Sequence, residues 1–264
     1  MARLLPWKEW LQPCSLGSDE ARKGGEEMES LAKLSRGRAA QTPQFPNLQA
    51  SSHLVQFYLT DVFLLDTVAR FIGDGLREGA PAVAVLTESH RKGLDQRLAL
   101  RGIDVAALLS KGLYVPLDAA ETLSKFTVGG WPSELGFNTV IGDLIGRLAA
   151  QGQRPLVRVV GEMVALLWNE GNARGALRLE DLWNNLANKI PFTLLCAYPL
   201  KTFSRETCGE LLGLCAAHSE LVAGENETAD FHKEIAGTVG SIKRSLADIK
   251  TKLAALNLQK SPEQ

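Results

Sequence analysis

The stretch Pro81-Ala-Val-Ala-Val-Leu86 decides the fold, because it is a short apolar run that ends at the polar turn Thr87-Glu-Ser89. A run this short and this uniformly apolar predicts a strand that is buried on both faces. Three further segments share this character, and they lie at 113–117, 155–160 and 192–198. Strands of this kind are typical of a parallel sheet covered by helices on both faces.

Amphipathic segments separate the predicted strands. Asp61 is the predicted N-terminal cap of a helix whose apolar side chains recur at helical spacing as far as Leu76, and Gly79 follows as its stop. Further helices are predicted at about 132–150 and 175–189. The alternation predicts an α/β domain with a mostly parallel sheet over 53–203.

The two ends of the chain differ from this central domain. Residues 1–52 are predicted to be a flexible leader, because 17–52 is rich in Gly, Ser, Glu, Arg and Pro. Residues 204–264 are predicted to be a helical extension in which the sheet pattern does not return. Its last helix carries a heptad seam that predicts a coiled coil and a homodimer, and the seam is formed by Ile235, Val239, Ile242, Leu246, Ile249, Leu253 and Leu256.

Charge and cysteine content exclude several classes of protein. Lys and Arg number 29 against 30 Asp and Glu, so no basic field attracts nucleic acid or an anionic membrane surface. No apolar run approaches the length of a membrane span, and Pro6 and Lys8 interrupt the opening segment before a signal-peptide core forms. The four cysteines show no CxxC spacing, which indicates reduced thiols. We therefore expect a cytoplasmic protein.

The usual catalytic motifs are missing from the sequence. An ATPase of this sheet type places a Gly-rich loop ending in Gly-Lys-Ser/Thr after its first strand, whereas the turn Thr87–Gly93 after the first predicted strand lacks such a loop. HExxH, GxSxG and GxGxxG are also absent, and the four histidines form no metal-ligand pair at helical spacing. We therefore expect a protein that is not an enzyme and that has neither a metal nor a cofactor.

An ordered set of short motifs resembles the MEDS domain, the sensory domain of methanogen and methylotroph signalling proteins that include the dichloromethane-responsive regulator. The resemblance implies a bacterial or archaeal protein with a fold related to RecA-like and circadian-clock ATPases, and a sensor of small hydrocarbon derivatives. The motifs are His53-Leu-Val-Gln-Phe57-Tyr58, Gly75-Leu-Arg-Glu-Gly79, His90-Arg91, Arg158-Val-Val-Gly161-Glu162-Met163 and Cys196-Ala-Tyr198.

Candidate ligand-binding residues cluster at the predicted carboxyl edge of the sheet, where open α/β sheets bind ligands. Glu162 follows a buried strand, and it is expected to meet either a polar ligand group or a basic partner such as Arg158 or Arg91. His90 precedes Arg91 and completes this polar rim. The alternative for Glu162 is an acid that stabilises the dipole of the following helix, and the alternative for Arg91 is a surface ion pair.

Four more candidates lie on strands or near their ends. His53 and Tyr58 are expected to close one edge of the domain through a hydrogen bond. Cys196 and Tyr198 alternate along a strand and therefore point to the same face, where they line an apolar pocket or pack in the core. Glu180 and Asn184 share one face of a helix, and that face is expected either to be solvated, which is the commoner case, or to line a pocket.

Two functions are compatible with these features. The first is a non-catalytic signal-transduction protein that binds a small molecule or a signalling protein at the carboxyl edge and reports through its C-terminal helix. The alternative is a phosphotransfer protein derived from a histidine kinase, with His232 at the start of the terminal helix as the phosphoacceptor. A partner kinase would have to supply the phosphate.

Overall fold

The structure is a computed structural model that describes residues 50–150, 156–202 and 208–222, together with Phe45, Leu48 and seven positions between 237 and 251. Six parallel strands form its main sheet in the order β3-β2-β6-β7-β1-β8. A separate antiparallel hairpin pairs β4 with β5. The strands are β1 (His53–Tyr58), β2 (Ala82–Leu86), β3 (Tyr114–Asp118), β4 (Thr127–Val128), β5 (Trp131–Pro132), β6 (Val157–Gly161), β7 (Phe192–Pro199) and β8 (Glu220–Leu221).

Helices cover both faces of the main sheet, and each face has its own apolar core. The first face is covered by α1 (Asp61–Arg77), α2 (Glu88–Leu100) and α3 (Val105–Ser110). The second face is covered by α4 (Ala119–Ser124), α5 (Glu134–Phe137), α6 (Asp143–Ala149), α7 (Met163–Asn169), α8 (Ala173–Ala187) and α9 (Cys208–Ala217). The predicted α/β class with a parallel sheet and helices on both faces is thus confirmed.

Two details of the helices differ from the sequence predictions. Thr60, and not Asp61, caps α1, because its hydroxyl accepts a hydrogen bond from the Phe63 amide at 3.3 Å. The helix predicted over 132–150 is interrupted by a π-helical turn at Asn138–Gly142. This wider turn lies between α5 and α6 and keeps Phe137, Ile141 and Ile145 buried at a spacing of four residues.

Two strands of the main sheet, β1 and β8, are not predicted from the sequence. β1 contains His53 and Gln56 and so does not read as an apolar run, but all six of its residues are buried between β7 and β8. β8 pairs with β1 through Leu54 opposite Glu220, so the sheet does return after residue 203. Because β1 is the first strand among the described residues, the turn that corresponds to a phosphate-binding loop is Leu59-Thr60, which contains neither glycine nor lysine.

Only a few positions at the two ends of the chain belong to the described residues. Phe45 and Leu48, which fall in the predicted leader, pack against the core beside α1, and the Phe45 and Phe71 rings lie 5.2 Å apart. Most of the leader, the seam residues of the terminal helix and His232 lie outside the described residues. Among the helices that are described, none has both the length and the apolar composition needed to cross a membrane.

Candidate functional site

The carboxyl edge of the sheet is organised around the Glu162 side chain. Glu162 directly follows β6 and is only 3% exposed. Its Oε1 lies 2.6 Å from His90 Nδ1, and its Oε2 accepts a hydrogen bond from the Thr87 amide at 2.9 Å. Val85 pairs with Gly161 in the register of β2 and β6, so the residues that follow these two strands are brought side by side.

His90 lies between two carboxylates at this edge. Its Nε2 lies 3.5 Å from Asp61 Oδ1, at the start of α1, while Nδ1 faces Glu162. The hydrogen bond with Glu162 raises the pKa of His90 above its ordinary value, although partial burial opposes the shift. The His90 imidazole therefore joins the start of α1, the first turn of α2 and the end of β6.

An aromatic hydroxyl and two exposed apolar side chains flank this charged group. Tyr58 ends β1, and burial together with the negative charge of Glu162 raises its pKa far above the ordinary value, so it is a neutral phenol. Leu59 is 37% exposed and Val62 is 62% exposed in the adjoining turn and first helical turn. We use "carboxyl-edge site" for Tyr58, Asp61, Thr87, His90 and Glu162.

The two arginines expected beside Glu162 contact other acids. Arg91 Nη2 lies 3.4 Å from Asp118 Oδ2, so Arg91 forms the ion pair that was the alternative expectation. Arg158 projects from the early part of β6 toward α1, where its guanidinium donates to the Phe71 carbonyl at 2.7 Å and contacts Glu78 at 2.8 Å. The expected pairing of Glu162 with either arginine is wrong, since His90 occupies that position.

A second polar group lies inside the core on the opposite face of the sheet. We call it the buried polar cluster and define it as His53, Glu180, Cys196 and His218, whose side chains offer ligand atoms within 4.8 Å of one another. His53 Nε2 lies 3.1 Å from Glu180 Oε2 and 3.3 Å from Cys196 Sγ. His218 Nε2 lies 3.4 Å from Glu180 Oε1. These residues come from β1, α8, β7 and the segment after α9, and all four are buried.

An outer ring of hydrogen bonds orients the buried polar cluster. Nδ1 of His53 lies 3.0 Å from Asn184 Oδ1, and Nδ1 of His218 lies 2.8 Å from the Leu214 carbonyl oxygen. The Asn184 amide also donates to the Ala217 carbonyl at 3.0 Å. The Tyr198 hydroxyl donates to Glu180 Oε1. The positions of both imidazoles and of the carboxylate are therefore fixed by second partners.

Burial and charge act in opposite directions within the cluster. Burial raises the pKa of Glu180, but attraction to His218 and His53 outweighs it and holds that pKa well below its usual range. Burial lowers the pKa of His218, which the neighbouring Glu180 only partly offsets. Burial also raises the pKa of Cys196 and of Tyr198, so both are neutral beside the Glu180 carboxylate. The ionised carboxylate is thus the central charge of the cluster.

Of the sequence predictions that concern the buried polar cluster and its neighbours, one is confirmed and two are wrong. Cys196 and Tyr198 point to the same face, as predicted, and both belong to the core on the α8 side. His53 and Tyr58 do not close an edge together, because residues five apart on a strand face opposite sides. The solvated face expected for Glu180 is wrong, since Glu180 is fully buried against β1 and β7.

No spacing in the sequence groups these residues. Local spacing along the chain does not connect the histidines, whereas the fold brings His218 to His53 across 165 positions, from 53 to 218. The alternation of Cys196 and Tyr198 was the one local signal. The two histidine rings lie 4.1 Å apart between their centroids.

An open groove lies elsewhere on the molecule, beside the π-helical turn and the end of α8. Its lining includes Asn138, Gly142, Gly146, Leu186 and Ile190. Leu186 and Ile190 precede β7, so this groove is at the amino edge of the sheet, opposite the carboxyl-edge site.

A parallel sheet covered by helices on both faces, with a polar carboxyl edge, defines this chain as an α/β domain. The family model for the MEDS domain, described as the methanogen/methylotroph, DcmR sensory domain, matches residues 52–218, which is more than half of the chain. The chain belongs to the MEDS family and therefore contains a sensory domain. The match extends beyond residue 203 and includes α9 and His218. No curated protein matches the chain.

Proposed function

We propose that this MEDS-family chain is a non-catalytic sensor that binds a small organic molecule at the carboxyl-edge site. The observation that carries the proposal is the position of His90 between Glu162 and Asp61, which joins three elements at the edge where parallel α/β sheets bind ligands. A ligand that hydrogen-bonds to any of these three side chains alters the contacts among α1, α2 and β6.

The surroundings favour a molecule with a carbon skeleton and one polar group. The exposed side chains of Leu59 and Val62 offer apolar contact beside the charged group. The Tyr58 hydroxyl and the two carboxylates offer hydrogen-bonding partners. Such a pairing of apolar surface with a few polar groups is typical of small-molecule sites, and it agrees with the hydrocarbon derivatives that the family resemblance implies.

The same geometry disfavours a nucleotide phosphate. Glu162 Oε2 already accepts the Thr87 amide at the N-terminus of α2, which is where a helix would otherwise bind an anion. The carboxylate would repel a phosphate at this position, and the Leu59-Thr60 turn is too short to surround one. We therefore propose recognition rather than nucleotide turnover.

The route from the site to the C-terminal end passes through β1. Tyr58 ends β1 at the carboxyl-edge site, and β8 pairs with the same strand through Leu54 and Val55. Ser219 also exchanges hydrogen bonds with the backbone of His53. We propose that movement of β1 on ligand binding is passed to the segment after β8 and to the terminal helix, which pairs with a second copy.

Dichloromethane and methanol, titrated separately, are the probes that test ligand binding. In amide chemical-shift titrations of the full chain, one probe should move the Thr87 and His90 signals, and Glu162→Gln should abolish the movement. The matched control is Glu134→Gln, which removes an exposed acid paired with Arg178 at 3.2 Å. Signals that stay fixed with both probes, or that move equally in Glu162→Gln, would contradict a small-molecule site and leave a signalling protein as the ligand.

A further inference from the structure

We propose that His53, Glu180, Cys196 and His218 form a binding site for a divalent transition-metal ion, with Zn²⁺ the ion that best fits this set of side chains. The site lies in the core on the α8 side of the sheet, and the carboxyl-edge site contributes none of its residues. The proposal therefore does not depend on the proposed sensory function.

The distances between the ligand atoms match a tetrahedral site. Zn²⁺ binds imidazole nitrogen and carboxylate oxygen at about 2.0–2.2 Å and cysteine sulfur at about 2.3 Å, which places neighbouring ligand atoms roughly 3.3–3.7 Å apart. His53 Nε2 lies 3.1 Å from Glu180 Oε2 and 3.3 Å from Cys196 Sγ, and Cys196 Sγ lies 3.9 Å from Glu180 Oε2. His218 is the fourth residue, and all four ligand atoms lie within 4.8 Å of one another. Movement of the ligand atoms toward their common centre by about 1 Å would give the tetrahedral spacing.

The outer hydrogen bonds leave the correct nitrogen available on each ring. A metal-binding histidine usually donates its second ring N–H to an oxygen acceptor, which fixes the tautomer. Nδ1 of His53 faces Asn184 Oδ1 at 3.0 Å, and Nδ1 of His218 faces the Leu214 carbonyl oxygen at 2.8 Å. Both Nε2 atoms, and with them their lone pairs, are therefore directed into the cluster.

Charge balance explains why a dication suits this buried position. The Glu180 carboxylate and a Cys196 thiolate carry two negative charges, and the two imidazoles are neutral ligands, so a dication gives a site with no net charge. All four side chains are at most 4% exposed, and an unbalanced charge at this depth is costly. Metal binding releases the thiol proton of Cys196 to solvent as the metal–sulfur bond forms.

Metal binding would also fix the end of α9 to the sheet. His53 belongs to β1, Cys196 to β7 and Glu180 to α8, while His218 follows α9 and immediately precedes Ser219 and β8. A bound ion therefore joins the last part of the domain to its first strand. If hydrogen bonds alone hold the four side chains, the refolded chain takes up no stoichiometric metal.

The test measures metal binding by the full chain under reducing conditions. Because the four side chains are buried, the chain is stripped of metal and refolded with Zn²⁺ or Co²⁺. We expect one metal ion per chain and, with Co²⁺, a thiolate-to-cobalt charge-transfer absorption band. Cys196→Ser should remove that band and weaken Zn²⁺ binding more than tenfold. The matched control Cys215→Ser alters another buried cysteine and should keep both properties.

A second variant keeps the test decisive if Cys196→Ser fails to fold. Asn184→Ala removes the outer partner of His53 and leaves all four ligands, so Zn²⁺ affinity should fall about 10–100-fold while the cobalt band is retained. The proposal is overturned if the wild-type chain takes up no stoichiometric Zn²⁺ on refolding. A cobalt band that persists in Cys196→Ser, or that disappears in Cys215→Ser, overturns it as well.

Discussion

His90 Nδ1 lies 2.6 Å from Glu162 Oε1, and this contact joins the first turn of α2 to the end of β6. The two residues are 72 positions apart in the sequence. They meet because β2 and β6 are parallel neighbours whose carboxyl ends coincide. The contact makes the carboxyl-edge site a preformed part of the fold, and it has a measurable consequence for stability.

The excess in unfolding free energy of the wild type over His90→Gln should fall as the pH rises from below the ordinary histidine pKa to above it. The hydrogen bond with Glu162 raises the pKa of His90 in the folded chain, so the folded state binds this proton more tightly than the unfolded state. The stabilisation is complete below the ordinary histidine pKa and is lost as the pH passes through the raised value. Urea unfolding of both proteins across this range measures the effect.

The prediction is tested by the difference in unfolding free energy between wild type and His90→Gln, because His218 changes the stability of both proteins with pH in the opposite direction. Burial lowers the pKa of His218, so its contribution to stability grows as the pH rises. Both proteins contain His218, and subtraction removes its effect. A hydrogen bond to a charged group is worth about 1.5–3 kcal/mol at low pH. If the difference in unfolding free energy between the two proteins does not change with pH, the raised pKa of His90 in the folded chain is contradicted.

Glu180→Ala should lower the free energy of unfolding by about 3–5 kcal/mol. The substitution removes a fully buried carboxylate to which the other members of the cluster are hydrogen-bonded. His53, His218 and Tyr198 would each lose a partner in the core. Glu134→Ala is the control, because its pair with Arg178 is exposed and is worth about 0–1 kcal/mol. Urea unfolding measures both variants. If Glu180→Ala and Glu134→Ala lose the same free energy of unfolding, the buried polar cluster contributes no more to stability than an exposed ion pair.

Gly75→Ala should destabilise the fold by about 1–3 kcal/mol, because an added Cβ would lie 2.4 Å from Arg158 Cδ. Arg158 cannot easily move away, since its guanidinium is bound to the Phe71 carbonyl and to Glu78. The control Gly146→Ala meets only Ile190 Cδ1 at 3.4 Å and should stabilise α6 by about 0.4–1 kcal/mol. Thermal unfolding measures both variants. If their melting temperatures shift in the same direction relative to wild type, a clash between the added Cβ at position 75 and Arg158 does not explain the effect.

A chain that ends after Val222 should keep the stability of the domain, whereas one that ends after residue 203 should not. The shorter chain lacks α9 and β8, so it loses the buried Leu211 and Leu214 and the strand that covers β1. The loss of a single buried leucine costs about 2–5 kcal/mol, so the deficit should exceed that amount. Equal urea midpoints for the two chains would place the domain boundary at residue 203.

Deletion of all residues after Gly224 should convert a dimer into a monomer, as measured by light scattering. The seam residues of the terminal helix recur with heptad spacing, and a narrow apolar seam of this kind pairs with another helix. Ile242→Asp, within the seam, should have the same effect, while Lys243→Ala should leave the mass unchanged. A mass that does not change on deletion contradicts output through paired tails.

The strands that the sequence identified share one property, which is a run of apolar side chains long enough to be recognised without context. β2, β3, β6 and β7 were predicted from such runs and lie within two residues of the predicted bounds. β1 was missed because His53 and Gln56 interrupt its apolar pattern. β8 was missed because two residues carry no periodicity. Both are strands only because a neighbouring strand supplies their hydrogen bonds.

The sequence by itself determined the α/β class, the helical faces and the family, because burial periodicity and short motifs are local properties of the chain. Only the tertiary structure decided which polar groups meet. The basic partner of Glu162 is His90, where Arg158 and Arg91 were the examples expected beside a polar ligand group. Glu180, expected mainly on a solvated face, instead joins His53, Cys196 and His218. Contacts of this kind depend on strand order and helix docking, which bring together residues that no sequence spacing connects.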